Sequence, residues 1–526
     1  MALIDLLARG YFPKELPRPF VTIPFANIIT NVPVLPGDFA KTASRNNHLT
    51  PAKAGRYSHA RGGLFRRPLN ICNPLHYFLL CKDVMRFWTP ISHRVAGNQL
   101  AATAPEFKPI GRAINGKFLQ GERPNVAQDS RLGRRYVLHT DIVQFYKSIY
   151  THSIPWALHT KAVAKANRSL NVIGNKIDYW VRMGQDQQTV GIPIGPDTSL
   201  VIAELIMHRC DEALLAKLPK LKGHRFIDDY ELSFQTRTEA EDAFHILEMC
   251  LSEYELALNH KKTQILELPL PLEEPWLTEL KSFTFRTSQS GQAADLSNYF
   301  SRAYSLYLGN PDASVLQFAI ARLRSVDINP ANWGVFQKLL LLCVIPEPAS
   351  LPYVLEQIIT RRNAGAPPIL PELEEIVNAL IVNHSELQHS SEVANAAWAR
   401  LALGLRLHDE AVDLISQCDE PVVALLALDC ERHGLVSKPL DKTIWTSHMT
   451  QSALYDEYWL LAYEANIKGW LPNAEPVDHV ATDANFGFLK ASGVYFYDDG
   501  LSAPAAAAPI PLPTLPNLLL SAARSA

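Results

Sequence analysis

Polar and apolar residues repeat with two different periods along this chain, and the change divides it. Up to about residue 284, short runs of β-forming residues alternate with helical stretches, whereas beyond it apolar residues recur at helical spacing. In the first part, residues 136–140 form a β-rich run that ends on Asp141. Residues 223–234, GHRFIDDYELSF, place Asp228 and Asp229 between two short apolar runs, the pattern of a hairpin turn. Between these lie a helix with its core at 177–183 and a Gly/Pro loop at 191–199. An apolar helix over 200–217 follows, with Asp197, Thr198 or Ser199 as its cap. An amphipathic helix over 239–254 and a turn-and-strand segment to residue 265 complete the pattern. The order predicts an α+β fold with an antiparallel sheet.

The first 40 residues carry prolines at 13, 17, 19, 24, 33 and 36, which allow one short helix over 3–8 and then extended or turn structure leaning on something larger. A second helix is expected over 75–88. After residue 285 nine helical segments are predicted between 299 and 465, broken by prolines and polar residues in the manner of antiparallel helix pairs. Aromatic residues gather at 486–499, where packing on the helical part is expected rather than stacking on bases. Residues 501–526 are Ala/Pro-rich and read as a flexible tail in which 518–520 dock.

Composition adds three constraints. Hydrophobic residues make up 47% and charged residues 20%, values of a globular chain, and no apolar stretch approaches the ~20 residues that would cross a bilayer. Neither a secretory leader nor a cysteine framework is legible: the seven cysteines are scattered with no C-x-x-C pair, so a cytoplasmic protein with buried thiols is expected. The net charge of −3 conceals an asymmetry, because residues 41–135 hold 17 Lys and Arg against four acids, a local +13 that leaves −16 elsewhere. Such a block points to a polyanion or to a solvated basic face.

Carboxylates delivered by a strand end and a hairpin turn are a hard-oxygen set suited to divalent cations. Taken in order, DIVQFYKSIYTHSIPW (141–156), GIPIG (191–195), FIDD (226–229) and N-x-x-K-T (259–263) resemble the palm of reverse transcriptases. The run YTHSIPW and the N-terminal RGYFPKELPRPF are similar to the Abi (abortive infection) polymerases of bacterial phage defence. The resemblance implies a right-hand polymerase palm and fingers over 1–284, then an all-α helical-repeat (HEAT-like) domain over 285–475, an aromatic terminal element over 476–500 and the tail.

For the site, the resemblance implies two Mg2+ ions, or Mn2+, held by Asp141, Asp228, Asp229 and the Ile142 carbonyl. Phe145 and Tyr146 would bind the nucleotide, with the Tyr146 ring beneath the incoming sugar as the gate against a 2′-hydroxyl, so that dNTPs are the substrates. Lys262 would approach the triphosphate, Arg66 and Arg67 would hold it from the fingers, and Gly191, Pro193 and Gly195 would line the nucleotide. Ile194 stands where templated enzymes carry glutamine, and its side chain makes no hydrogen bond. Together with the family likeness this implies untemplated DNA synthesis primed by a protein hydroxyl, with single-stranded DNA, covalently attached, as product and a homo-oligomer as the working form. Tyr11, Tyr57 and Tyr77 are tyrosines near the N-terminus, but spacing selects none as primer. The rival expectations are a templated reverse transcriptase with its own RNA and a non-catalytic nucleic-acid scaffold.

Overall fold

A computed structural model describes residues 2–43, 49–63, 65–502, 510 and 512–513. The expected tail over 501–526, including 518–520, therefore lies almost wholly outside the described residues. The chain forms two compact units. The first comprises 1–13, 22–54 and 70–272; the second comprises 14–21, 55–69 and 273–526. The change of packing falls at 272/273, whereas the change of hydrophobic period suggested 284/285.

Among the described residues there are eight strands: β1 (Gly55–Ala60), β2 (Arg66–Ile71), β3 (Pro105–Phe107), β4 (Ile114–Gly116), β5 (Tyr136–Asp141), β6 (Lys222–Phe226), β7 (Asp229–Phe234) and β8 (Gln264–Glu267). β6, β7, β5 and β8 pair in that order into the antiparallel sheet of the first unit. β7 is buried along most of its length because both faces of the sheet are covered. Alternation sends Tyr230 and Leu232 to one face, toward the helices Asp197–Lys217 and Arg237–Ser252, and Glu231 to the other, under the helix Arg123–Arg131.

The helix Arg237–Ser252 begins with a capping box, in which the Thr236 hydroxyl accepts from Glu239 N–H at 3.2 Å. The helix Asp197–Lys217 starts three residues earlier than its apolar pattern suggested and has no side-chain cap. Asp197 is drawn away from capping because its carboxylate accepts from Arg112 Nε at 2.6 Å and from Ile114 N–H at 2.9 Å. Burial raises its pKa, with Arg112 acting in the opposite direction.

Much of the basic block is explained within this unit. Arg112 pairs with Asp197, Arg123 with Asp229, Arg131 with Glu231 and Arg135 with Glu267. Its arginines thus supply counter-ions for palm carboxylates that lie about 80 to 130 residues later in sequence.

Apart from β1 and the first residues of β2, the elements among the described residues of the second unit are helical, and Trp398, Trp445 and Trp459 are fully buried in it. β1 is fastened to the first turn of the helix Ser390–Leu403: Ser58 N–H donates to the Ser390 hydroxyl at 3.0 Å and Ala60 N–H to the Ser391 hydroxyl at 2.9 Å. The aromatic residues near the end pack inward. Phe486, Phe496 and Tyr497 are wholly buried, and Tyr497 O–H donates to Asp429 at 2.8 Å. All seven cysteines are buried free thiols. Among the described residues no helix is long and apolar enough to cross a membrane.

Candidate active site

The register of β5 with β7 sets Asp141 directly opposite Asp229. β6 and β7 are closed by a two-residue turn, Ile227–Asp228, between the paired Phe226 and Asp229. The three carboxylates therefore gather at one end of the sheet because one strand ends there and one hairpin turns there.

The turn is strained. Ile227 has φ 59°, a left-handed conformation that is costly for a β-branched residue, on the order of 1–3 kcal/mol. Both of its backbone groups are pinned: its N–H donates to the Thr103 hydroxyl at 2.7 Å, and its carbonyl accepts from Arg225 at 2.6 Å. Arg225 is itself fully buried between Glu204 (2.9 Å) and Asp211 (2.7 Å), two turns apart on the helix Asp197–Lys217. Thr103 donates to Glu204 at 2.5 Å, and Tyr230 O–H and Asn98 donate to Asp211 at 2.6 and 2.7 Å. Burial acts to discharge Arg225, but Asp211 and Glu204 override it and hold its pKa well above the usual value. A buried ionic floor thus fixes the turn that presents Asp228.

Each end of the facing pair carries a cation. Lys262 Nζ donates to Asp141 Oδ2 at 3.1 Å, and Arg123 donates to Asp229 Oδ2 at 2.6 Å while stacking over the Phe226 ring at 5.5 Å. Asp141 Oδ1 is shielded from solvent and has no hydrogen-bond donor. An all-oxygen donor set with one buried, unsatisfied carboxylate oxygen fits a hard divalent cation. Asp228 lies half-buried on the adjoining turn. Ile142 is buried and forms an antiparallel bridge with Leu258.

The loop at 191–195 lies along the short helix Phe145–Ser148. Ile192 N–H donates to the Tyr146 carbonyl at 2.9 Å and Gly191 N–H to the Ile149 carbonyl at 2.8 Å. Phe145 is buried and Tyr146 half-buried. Gly195 has φ 127°, and a Cβ there would lie 2.8 Å from Pro13 Cγ, so close approach as well as backbone angle requires glycine. The Pro193 carbonyl accepts from Ser199 at 2.5 Å. Ile194 is held by a two-way backbone contact with Asn70, whose N–H donates at 2.8 Å and whose side-chain oxygen accepts at 2.9 Å.

The structure does not offer Arg66 as an open fork. It belongs to the second unit, where its guanidinium donates to both Glu392 oxygens at 2.6 and 2.8 Å and to Ser58. Arg67 follows it on β2, half-buried. Tyr11, Tyr57 and Tyr77 are buried, and Tyr11 and Tyr77 donate to backbone carbonyls at 2.6 and 2.7 Å.

Sequence reasoning missed Arg123, Thr103 and the Glu204–Arg225–Asp211 floor. The available signal was Arg225 itself, a charge three residues before Asp228 on the strand that leads into the turn.

Residues 79–291 match the family model described as reverse transcriptase (RNA-dependent DNA polymerase). No curated protein matches the chain. Distant likenesses among solved structures include apo telomerase from Candida tropicalis, at 9% identity and TM-score 0.33, covering 62% of this chain and 67% of that one. Telomerase from Candida albicans in complex with a telomeric RNA fragment aligns at 11% identity and TM-score 0.28, over 64% and 65% of the two chains. An RNA-dependent RNA polymerase of a human picobirnavirus aligns at 12% and 0.28, over 57% and 64%. The chain carries a reverse-transcriptase-like palm and fingers, and it is a nucleotidyltransferase of the polymerase type.

Proposed function

We propose that this chain is a divalent-metal-dependent DNA polymerase of the Abi type that extends a protein hydroxyl with dNTPs, without a template, in defence against phage. The observation that carries the catalytic part is the register that sets Asp141 against Asp229, beside the pinned turn bearing Asp228. Two Mg2+ ions, or Mn2+, bound at these carboxylates supply activation of the attacking hydroxyl and neutralisation of the pyrophosphate. Asp141 and Asp228 are the principal ligands, with Asp229 and the Ile142 carbonyl as companions. Lys262, 3.1 Å from Asp141, is the lysine that approaches the triphosphate and donates a proton to the departing pyrophosphate. Arg123, beside Asp229, is proposed as a further cation for the triphosphate, in addition to Arg67 on the fingers side, while Arg66 is engaged by Glu392. Tyr146 excludes the 2′-hydroxyl, and Gly191, Pro193 and Gly195 let the loop backbone approach the nucleotide.

Support for untemplated synthesis is Ile194, whose apolar side chain replaces the glutamine of templated relatives. The priming residue is unknown, and the buried Tyr11, Tyr57 and Tyr77 are poor choices. The helical second unit is proposed as the repeat domain that holds single-stranded product, covalently attached, and assembles a homo-oligomer. A second reading, templated reverse transcription of an associated RNA, is favoured by the description of the matching family as RNA-dependent. Nuclease treatment of the purified protein separates them: RNA removal abolishes synthesis in the second reading and leaves it unchanged in the first.

A further inference from the structure

We propose that His384, His389 and Glu392 form a site for a d-block divalent cation such as zinc, within the second unit and independent of the polymerase carboxylates. His384 ends the helix Leu370–His384, and His389 directly precedes the helix Ser390–Leu403, so a short connection turns the two imidazoles toward each other. Their Nδ1 atoms are 3.0 Å apart and the rings stack at 5.3 Å with a 29° tilt. Two nitrogens bound to one zinc ion at ~2.1 Å each stand ~3.0–3.4 Å apart, so the pair already has the spacing of a chelate. Glu392, 4% exposed, lies one turn on, with Oε1 3.7 Å from His389 Nδ1. Among the described residues this is the one group of three metal-ligating side chains whose donor atoms all fall within 4.8 Å of one another.

The carboxylate is already oriented. Glu392 Oε2 is held by the Ser391 hydroxyl at 2.7 Å and by Arg66 at 2.8 Å, which directs Oε1 to the imidazoles, where Arg66 shares it at 2.6 Å. Outer partners of this kind fix ligating carboxylates in metal sites. In the metal-free state one Nδ1–H donates to the other Nδ1. Loading needs only that this ring carry its proton on Nε2 instead, so no net proton is released. Arg66 keeps Oε2 and yields Oε1, and its positive charge opposes the ion. Imidazole donors disfavour magnesium, which separates this site from the polymerase centre.

The test uses the full chain, stripped with chelator and titrated with Zn2+ in millimolar Mg2+, with Co2+ visible absorption reporting nitrogen ligation. One ion per chain is expected. Affinity should fall at least ~10-fold in the His384→Ala/His389→Ala double variant, the scale of changes at metal ligands and their surroundings, and rise in Arg66→Met because the cation that competes for Oε1 is removed. The double variant leaves Arg66 and Glu392 paired, and circular dichroism checks its fold. No zinc retained over magnesium, or equal binding by wild type and the double variant, overturns the proposal. Looser binding in folded Arg66→Met, with the double variant still impaired, overturns the assigned role of Arg66.

Discussion

Asp141 and Asp229 stand opposite each other on adjacent strands, the first paired with Lys262 at 3.1 Å and the second with Arg123 at 2.6 Å. Two carboxylates in facing positions repel, and like charges directly opposite destabilise a sheet. The two cations offset that repulsion, and a divalent ion bound there would do the same. The arrangement is therefore poised to exchange one set of counter-charges for another.

From this exchange, Arg123→Met should raise the KM for dNTP about tenfold, the loss of one phosphate contact worth ~1.4 kcal/mol, with a smaller effect on kcat. Steady-state kinetics on the variant checks it. A fall confined to kcat would show that Arg123 only positions Asp229.

The strained turn gives a second expectation. Thr103→Val leaves the Ile227 N–H without its acceptor, at a cost of ~1–3 kcal/mol. Ile227→Gly removes the conformational strain and should not lower the melting temperature, although a less constrained Asp228 should reduce kcat. Melting curves and turnover on both variants separate the strain from the pin.

Beneath the turn, Arg225→Met strands Glu204 and Asp211 as buried charges and should destabilise the first unit by ~3–5 kcal/mol. Denaturant titration measures this. A change below ~1 kcal/mol would mean that the floor is not an ionic unit.

Buried acids give the second unit a pH response. Burial pushes Glu420 and Glu464 each up to about 8, and each has an Oε2 with no hydrogen-bond partner. Between the ordinary glutamate range and about 8 these groups are protonated when folded and ionised when unfolded. The unfolded state then binds fewer protons, so their effect is that stability falls as pH rises from about 5 to 8 and levels off above. Melting curves across that range should slope downward, and a Glu420→Gln/Glu464→Gln double variant should flatten the slope.

How much of this was legible in the chain depends on range. β5 ending on Asp141, the hairpin around Asp228 and Asp229 and the helix that follows are encoded locally, by β-forming runs, a two-residue turn and a capping box, and they are where the pattern placed them. Motif order pointed to Lys262 as the lysine that approaches the triphosphate, and its pairing with Asp141 at 3.1 Å was not foreseen. What the pattern could not show were partners distant in sequence. Arg66 read as an open fork because Glu392 lies 326 residues away. Arg123 and Arg112 looked like parts of a generic basic block because their carboxylates, Asp229 and Asp197, come about 100 and 85 residues later. The cap of the helix Asp197–Lys217 was misplaced for the same reason: Arg112 competes for the residue that would have capped it.

The most direct test is to incubate the purified chain with labelled dNTPs and Mg2+, with no template or primer, and to resolve the reaction on a denaturing gel. The account predicts label that migrates with the protein and is released by protease, and its loss by ~1,000-fold or more in Asp228→Ala, since the metal-held carboxylates supply several kcal/mol. Unchanged labelling in Asp228→Ala would contradict the assignment of the site, and label that appears only when a nucleic-acid primer is supplied would contradict priming by a protein hydroxyl.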